Sequence, residues 1–174
     1  FNSQLGGGSI LDLGCYPITF SNLISNYINE AEEILPEIEE VSGEIHSFGV
    51  DLNAKAKLVY KNSIRSEIEV SINKNLSNMT EIFGENGKIK ISDPWLPKKT
   101  NIIELYKDNK IQKIVSNSQL SLFAEQINFF NLCAVSKKNL VNSTAMSIDN
   151  SVNYVKVMSK WKDLLFKKMQ EKSN

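Results

Sequence analysis

Met79-Thr80-Glu81-Ile82-Phe83-Gly84-Glu85-Asn86-Gly87-Lys88-Ile89-Lys90-Ile91-Ser92 places two short β-favouring runs on either side of a turn. Asn-Gly accepts the positive φ angles of a tight hairpin. Met79–Phe83 and Lys88–Ser92 are therefore expected to pair as antiparallel neighbours. The same pattern extends outward from this hairpin. Downstream, Ile102–Tyr106 and Ile111–Val115 flank Lys107-Asp108-Asn109-Lys110, which reads as a second hairpin. Upstream, Ile45–Val50, Ala54–Tyr60 and Ile64–Ile72 read as strands. The last of these has Ile64, Ile68, Val70 and Ile72 at even positions, and Asn62-Ser63 supplies the turn before it.

Helical periodicity brackets these strands. Ser9 to about Tyr27 has Ile10, Leu11, Ile18, Leu23 and Ile24 among its apolar positions, interrupted by Gly14 and Pro17. Pro17 has no N–H for the Leu13 carbonyl, so a kink is expected near Tyr16 and Pro17. The acidic run Glu30 to Glu40, broken by Pro36, reads as a solvated connection. At the other end, Leu120–Val135 spaces Leu120, Phe123, Ala124, Ile127, Phe130 and Ala134 by three and four. Ser147–Met169 does the same with Val152, Val155, Met158, Trp161, Leu165 and Met169, and Ser147 with Asp149 forms a suitable helix start. The expected fold class is α+β: an open, mainly antiparallel sheet of about five to seven strands, covered on one face by helices.

Composition narrows the partners. The chain has 174 residues and 41% hydrophobic content, enough for one compact domain. Lys+Arg and Asp+Glu are both 20, leaving no electrostatic footprint for a phosphate backbone or an anionic membrane. Cys15 and Cys133 stand far apart and His46 is the sole histidine, so a disulfide framework or a zinc site is disfavoured. Reduced thiols in a cytoplasm fit better. The apolar runs are too short to span a bilayer.

One segment carries chemistry: Gly6-Gly7-Gly8-Ser9-Ile10-Leu11-Asp12-Leu13-Gly14-Cys15-Tyr16-Pro17. Three glycines in a row suit unusual backbone angles or the close approach of another group. They do not form a GxGxxG dinucleotide fingerprint, because position 11 is Leu and no strand precedes them. Asp12 and Tyr16 are one helical turn apart, which sets a carboxylate and a phenol side by side, able to hydrogen-bond a substrate hydroxyl or carbonyl. Two plainer readings stand beside this. Ser9-x-x-Asp12 also fits a capping arrangement, and Tyr16 could be a half-buried packing aromatic. Trp95, in Asp93-Pro94-Trp95-Leu96-Pro97 just after a strand, reads by itself as a packing residue. His46 alternates along an expected strand and reads as a surface or satisfied residue. Trp161 reads as core, and the Lys-rich end from Lys160 to Lys172 as a solvated helix face.

Gly-Gly-Gly-x-x-x-Asp-x-Gly-x-Tyr resembles the GGGxxxDxGxH/Y signature of the glucose–fructose oxidoreductase, inositol dehydrogenase and rhizopine-catabolism family. Its Tyr form is similar to the dihydrodiol dehydrogenase branch. Pro36, Gly49-Val50-Asp51, Ile82-Phe83-Gly84-Glu85-Asn86-Gly87 and Ser147-Ile148-Asp149 look like further landmarks of that family, in its order. The resemblance implies an N-terminal Rossmann domain that binds NAD or NADP and contributes a catalytic lysine from a Glu-Lys-Pro segment. It also implies a C-terminal domain whose Asp and Tyr close the substrate pocket, and whose sheet forms the subunit interface. Asp12 would then orient the substrate and the lysine, and Tyr16 would hydrogen-bond the oxygen that exchanges a proton. Trp95 resembles an aromatic loop that lines the pocket.

The sequence departs from that family in lacking Glu-Lys-Pro, the dinucleotide fingerprint and the strand before the glycines. Residues 1–174 are accordingly expected to be a single C-terminal substrate-binding and oligomerisation domain, cut from a longer chain and inactive alone. No cofactor is expected on this chain and no metal. The expected partners are the absent Rossmann domain, a small polyol or carbonyl substrate and a second copy of the chain. The alternative is a non-catalytic sheet domain used for oligomerisation or ligand binding.

Overall fold

The computed structural model describes residues 2, 5–29, 35–136 and 146–173. Along the chain these form α1 (Ser9–Leu13), α2 (Cys15–Asn29), β1 (Glu37–Ile45), β2 (Asp51–Val59), β3 (Arg65–Ser71), β4 (Met79–Gly84), β5 (Gly87–Ser92), β6 (Thr100–Lys107), β7 (Lys110–Asn117), α3 (Leu122–Ser136) and α4 (Ile148–Ser173). The chain divides into two compact units, Phe1–Leu76 with Ala145–Asn174, and Ser77–Thr144. Every strand pair among the described residues is antiparallel, as the turn chemistry predicts. The strands form a three-stranded sheet, β1-β2-β3, and a four-stranded sheet, β4-β5-β6-β7, rather than one continuous sheet. The α+β class with open antiparallel sheets holds.

In the first unit the two faces of the sheet follow from strand alternation. Val41 pairs with Ala56 and Ala56 with Ile68, while Gly43 pairs with Ala54 and Ala54 with Val70. These residues, apart from Gly43, are buried in the core together with Ile10, Ile18, Leu58, Tyr60 and the inner side of α4. The opposite face carries charges in register. Glu40 meets Lys57 at 2.7 Å, Lys55 meets Glu69 at 3.0 Å, and Glu39 meets Arg65 at 2.9 Å. Residues 37–40 of the acidic run are thus strand, not connection. A register shift between Ile38 and Glu40 breaks the alternation that would have marked them. Residues 30–34 of that run lie outside the described residues. Conversely, residues 46–50 form a turn in which His46 N–H donates to the Val50 carbonyl, so the first strand ends where the sequence suggests it begins.

α4 starts as its sequence predicts, with Ser147 Oγ accepting the Asn150 N–H at 3.0 Å. Met158, Trp161 and Leu165 of the expected stripe are buried, joined by Tyr154 and Val157, whereas Val152 and Val155 are exposed. Trp161 is fully buried and donates its indole N–H to the Lys55 carbonyl at 3.2 Å. Across the sheet, Tyr60 donates its hydroxyl to Asn22 Oδ1 at 2.6 Å and so ties α2 to the end of β2. Burial holds that phenol protonated, far above the ordinary tyrosine range.

The second unit is a meander followed by α3. Asp108 and Asn109 both take positive φ, 52° and 57°, in the two-residue turn between β6 and β7. The β4–β5 turn is made by Glu85-Asn86, neither with positive φ, and Gly87 is a paired strand residue opposite Gly84. Gly87 is needed for a different reason, since a Cβ there would overlap the Tyr106 carbonyl. Among the described residues of this unit none is buried, including the apolar side chains of α3.

Candidate functional site

The glycine-rich segment folds into α1, then Gly14, then α2. Gly14 keeps helical angles (φ −63°, ψ −24°), its N–H donates to the Ile10 carbonyl at 2.8 Å, and its own carbonyl accepts the Ile18 N–H at 3.3 Å. The interruption falls at Gly14 rather than at Tyr16 and Pro17. Pro17 sits in the first turn of α2, where a missing N–H costs little, and the bond that is lost is the one to Leu13, next to the break. Because the backbone stays helical across Gly14, Asp12 and Tyr16 keep their one-turn spacing and both are exposed. Helical spacing continues this face along α2 through Phe20, Leu23 and Tyr27, of which Leu23 and Tyr27 are also exposed.

Capping at the start of α1 resolves one of the plainer readings. Gly8 is the cap residue and no side chain of the helix itself bonds there. The cap comes from Asp51, the first residue of β2. Its Oδ2 accepts the Ile10 N–H at 2.7 Å and the Ser9 hydroxyl at 2.7 Å. Asp12 is therefore not engaged in a Ser9-x-x-Asp12 capping box. Tyr16 is 48% exposed, which is compatible with the half-buried packing reading as well as with a site role. Between the two, the Cys15 thiol is pushed up, chiefly by burial and in part by the Asp12 carboxylate.

The same geometry answers whether a nucleotide pyrophosphate fits this glycine run. It does not, because the Ile10 N–H and the Ser9 hydroxyl at the helix start already hold a carboxylate, and a second anion would be repelled. Among the described residues no cluster of His, Cys, Asp and Glu could hold a metal ion, and no helix is long and apolar enough to cross a membrane.

Trp95 belongs to the second unit, in the loop after β5, where Asp93 takes positive φ (51°) and accepts a hydrogen bond from Asn78 at 3.3 Å. Asp12 and Tyr16 are brought together by local helix geometry within the first unit. His46 lies in the β1–β2 turn, not on a strand. Its ring stacks on Phe48 at 4.7 Å and its Nδ1 accepts the Phe48 N–H. Asp51 was the residue that local pattern could not mark as part of this segment. Its only sequence signal was its place in Gly49-Val50-Asp51.

Residues 1–90 match the family model described as the GFO/IDH/MocA C-terminal domain. The chain is 35% identical over 108 residues to trans-1,2-dihydrobenzene-1,2-diol dehydrogenase of Xenopus tropicalis, covering 62% of this chain and 30% of that protein. It is 34% identical over 95 residues to the same enzyme of Mus musculus, covering 55% and 26%. The chain thus spans about a third or less of the length of these curated relatives. Among solved structures it is similar to a 3-ketoreductase of Actinomadura kijaniata in complex with NADP and TDP-benzene. That similarity has a TM-score of 0.70 at 16% identity, over 93% of this chain and 46% of that one. An aldose-aldose oxidoreductase of Caulobacter crescentus complexed with glycerol aligns with a TM-score of 0.67 at 13% identity, over 91% and 46%. At these identities the structural likeness is one of fold.

Proposed function

Because the chain belongs to the GFO/IDH/MocA oxidoreductase family through its C-terminal domain, we propose that it is the substrate-side part of an NAD(P)-dependent dehydrogenase acting on a hydroxyl or carbonyl of a sugar, cyclitol or dihydrodiol. The observation that carries this reading is the division of labour at α1. Asp51 takes over the cap, and Asp12 is left exposed one turn from Tyr16. In the oxidative direction Tyr16 Oη takes the proton of the substrate hydroxyl as its C–O bond becomes C=O, and in reduction it returns that proton. Asp12 accepts a hydrogen bond from a neighbouring substrate hydroxyl and fixes its orientation. A free phenol has a pKa of about 10, so a cation beside Tyr16 is needed to favour its ionised form. The family resemblance supplies such a cation as a lysine of the dinucleotide-binding domain. The nicotinamide, which would supply or accept the hydride, belongs to that domain too, and the isolated chain is inactive in this reading.

The test is steady-state turnover of the full-length gene product with NAD(P) and a panel of polyols and dihydrodiols. Asp12→Asn and Tyr16→Phe are each expected to lower kcat by about 10²–10⁴-fold, with the Kd for NAD(P) little changed. Turnover equal to the parent in both variants would overturn the proposal.

A second reading, a non-catalytic domain for assembly, is favoured by the four-stranded sheet. Register puts Ile82, Ile89 and Leu105 in one row and Ile91, Ile103 and Ile114 in the next, on a single face, with Ile114 exposed and the other five partly exposed. The other face carries the Glu81–Lys88 and Glu104–Lys113 pairs. An apolar face of this kind suits pairing with a second copy of the chain, and we place the homo-oligomer contact there in both readings. Ile89→Lys with Ile103→Lys is expected to shift the protein to monomer in light scattering. An unchanged mass would remove that contact.

A further inference from the structure

Asp51 is fully buried, and its carboxylate serves an element 42 residues earlier in the chain. We infer that Asp51 is a positioning residue for the Asp12–Tyr16 pair. The inference rests on the functional reading above. α1 is the five-residue start of a helical run that continues through Gly14 into α2, and the free end of such a run frays unless it is capped. Its first N–H groups have no partner within the helix. Asp51 Oδ2 takes the Ile10 N–H and the Ser9 hydroxyl, both at 2.7 Å, the short distance of charge-assisted bonds, with the negative end where a helix N-terminus favours it. Asp51 Oδ1 lies against Gly8, whose missing side chain lets the carboxylate approach, and it has no hydrogen-bond partner among the described residues. The carboxylate is therefore committed to this single turn.

The constraint passes onward through the backbone. Ile10, held by Asp51, accepts the Gly14 N–H, and Gly14 accepts the Ile18 N–H, with Ile10 and Ile18 both fully buried. Asp12 donates its own N–H to the Gly8 carbonyl at 3.2 Å. Asp12 and Tyr16 stand on the exposed side of this bonded row. The place of β2 in its sheet thus sets where the carboxylate and phenol meet a substrate. Asp51 touches neither of them and acts through the backbone between.

The experiment compares Asp51→Ala and Asp51→Asn in the full-length gene product, with Asp12→Asn and Tyr16→Phe measured in parallel. The amide of Asp51→Asn keeps an acceptor for Ile10 and Ser9 and serves as the conservative rescue. Asp51→Ala is expected to lower kcat about 100-fold, the cost of misplacing a reacting group by an ångström, and Asp51→Asn to lie within about tenfold of the parent. NAD(P) affinity should be unchanged, and hydrogen exchange at Asp12, Leu13 and Gly14 should accelerate in the order Ala, Asn, parent. If Asp51→Ala does not fold, a several-fold loss in both Asp51→Asn and Ser9→Ala is the expected result. A kcat per folded molecule equal to the parent in the Asp51 variants, while Asp12→Asn and Tyr16→Phe are impaired, overturns the positioning role alone. Full turnover in Asp12→Asn and Tyr16→Phe instead brings down the functional reading, and the exchange rates then decide whether Asp51 holds α1.

Discussion

Trp161→Ala is expected to lower the unfolding free energy of the protein by about 3–5 kcal/mol, the usual cost of emptying a large aromatic site in a core. The site is the junction of three elements. Trp161 is fully buried on α4, its indole N–H bonds the Lys55 carbonyl of β2, and its ring edge lies 3.4 Å from where a Cβ on Gly14 would be. Alanine leaves a cavity that cannot collapse without moving the sheet, the helix or the start of α2. Trp161→Phe separates the contributions, since it keeps most of the ring and gives up the hydrogen bond, at about 1–3 kcal/mol. Urea unfolding of the two variants checks this. A cost for alanine no larger than for phenylalanine would mean that the ring itself packs little.

Gly8→Ala should be of similar size for an unrelated reason. Gly8 has φ 128° and ψ 157°, a region that only glycine enters freely, at about 1–3 kcal/mol for any other residue. In addition, an alanine Cβ would overlap Asp51 Oδ1 and push the carboxylate off Ser9 and Ile10. Losing charge-assisted bonds there adds about 1.5–3 kcal/mol. A double-mutant cycle with Asp51→Ala divides the two parts: the steric part should vanish in that background and the backbone part should remain. Equal costs of Gly8→Ala with and without the carboxylate would show that the overlap contributes nothing.

Much of the fold was legible because its signals are local. The alternation of Ile64, Ile68 and Val70 and the turn residues Asp108 and Asn109 each report on neighbours within a few positions, as does the Ser147 cap. All three features are present. Where two local signals compete, the reading drifts. Asn86-Gly87 has turn chemistry, but Gly87 is a strand residue because β6 approaches it closely. Glu37 to Glu40 look solvated because their outward carboxylates are, while a register shift conceals the inward Ile38 and Val41. On α4 the three-and-four spacing of Val152 and Val155 is as regular as that of Tyr154 and Val157, and only the sheet beneath selects the second pair.

By itself the sequence determined the α+β class, the antiparallel hairpins, the one-turn spacing of Asp12 and Tyr16 and the likeness to an oxidoreductase family, all of which depend on short-range periodicity and residue order. Tertiary structure alone decided that the strands separate into sheets of three and four, that Asp51 and not Asp12 caps α1, and that Gly8 is glycine to admit a carboxylate from β2. The physical reason is range. A partner 41 residues away leaves no periodic trace in the chain, and it becomes visible only when a buried carboxylate is seen to hold the Ile10 N–H at the free end of a helix.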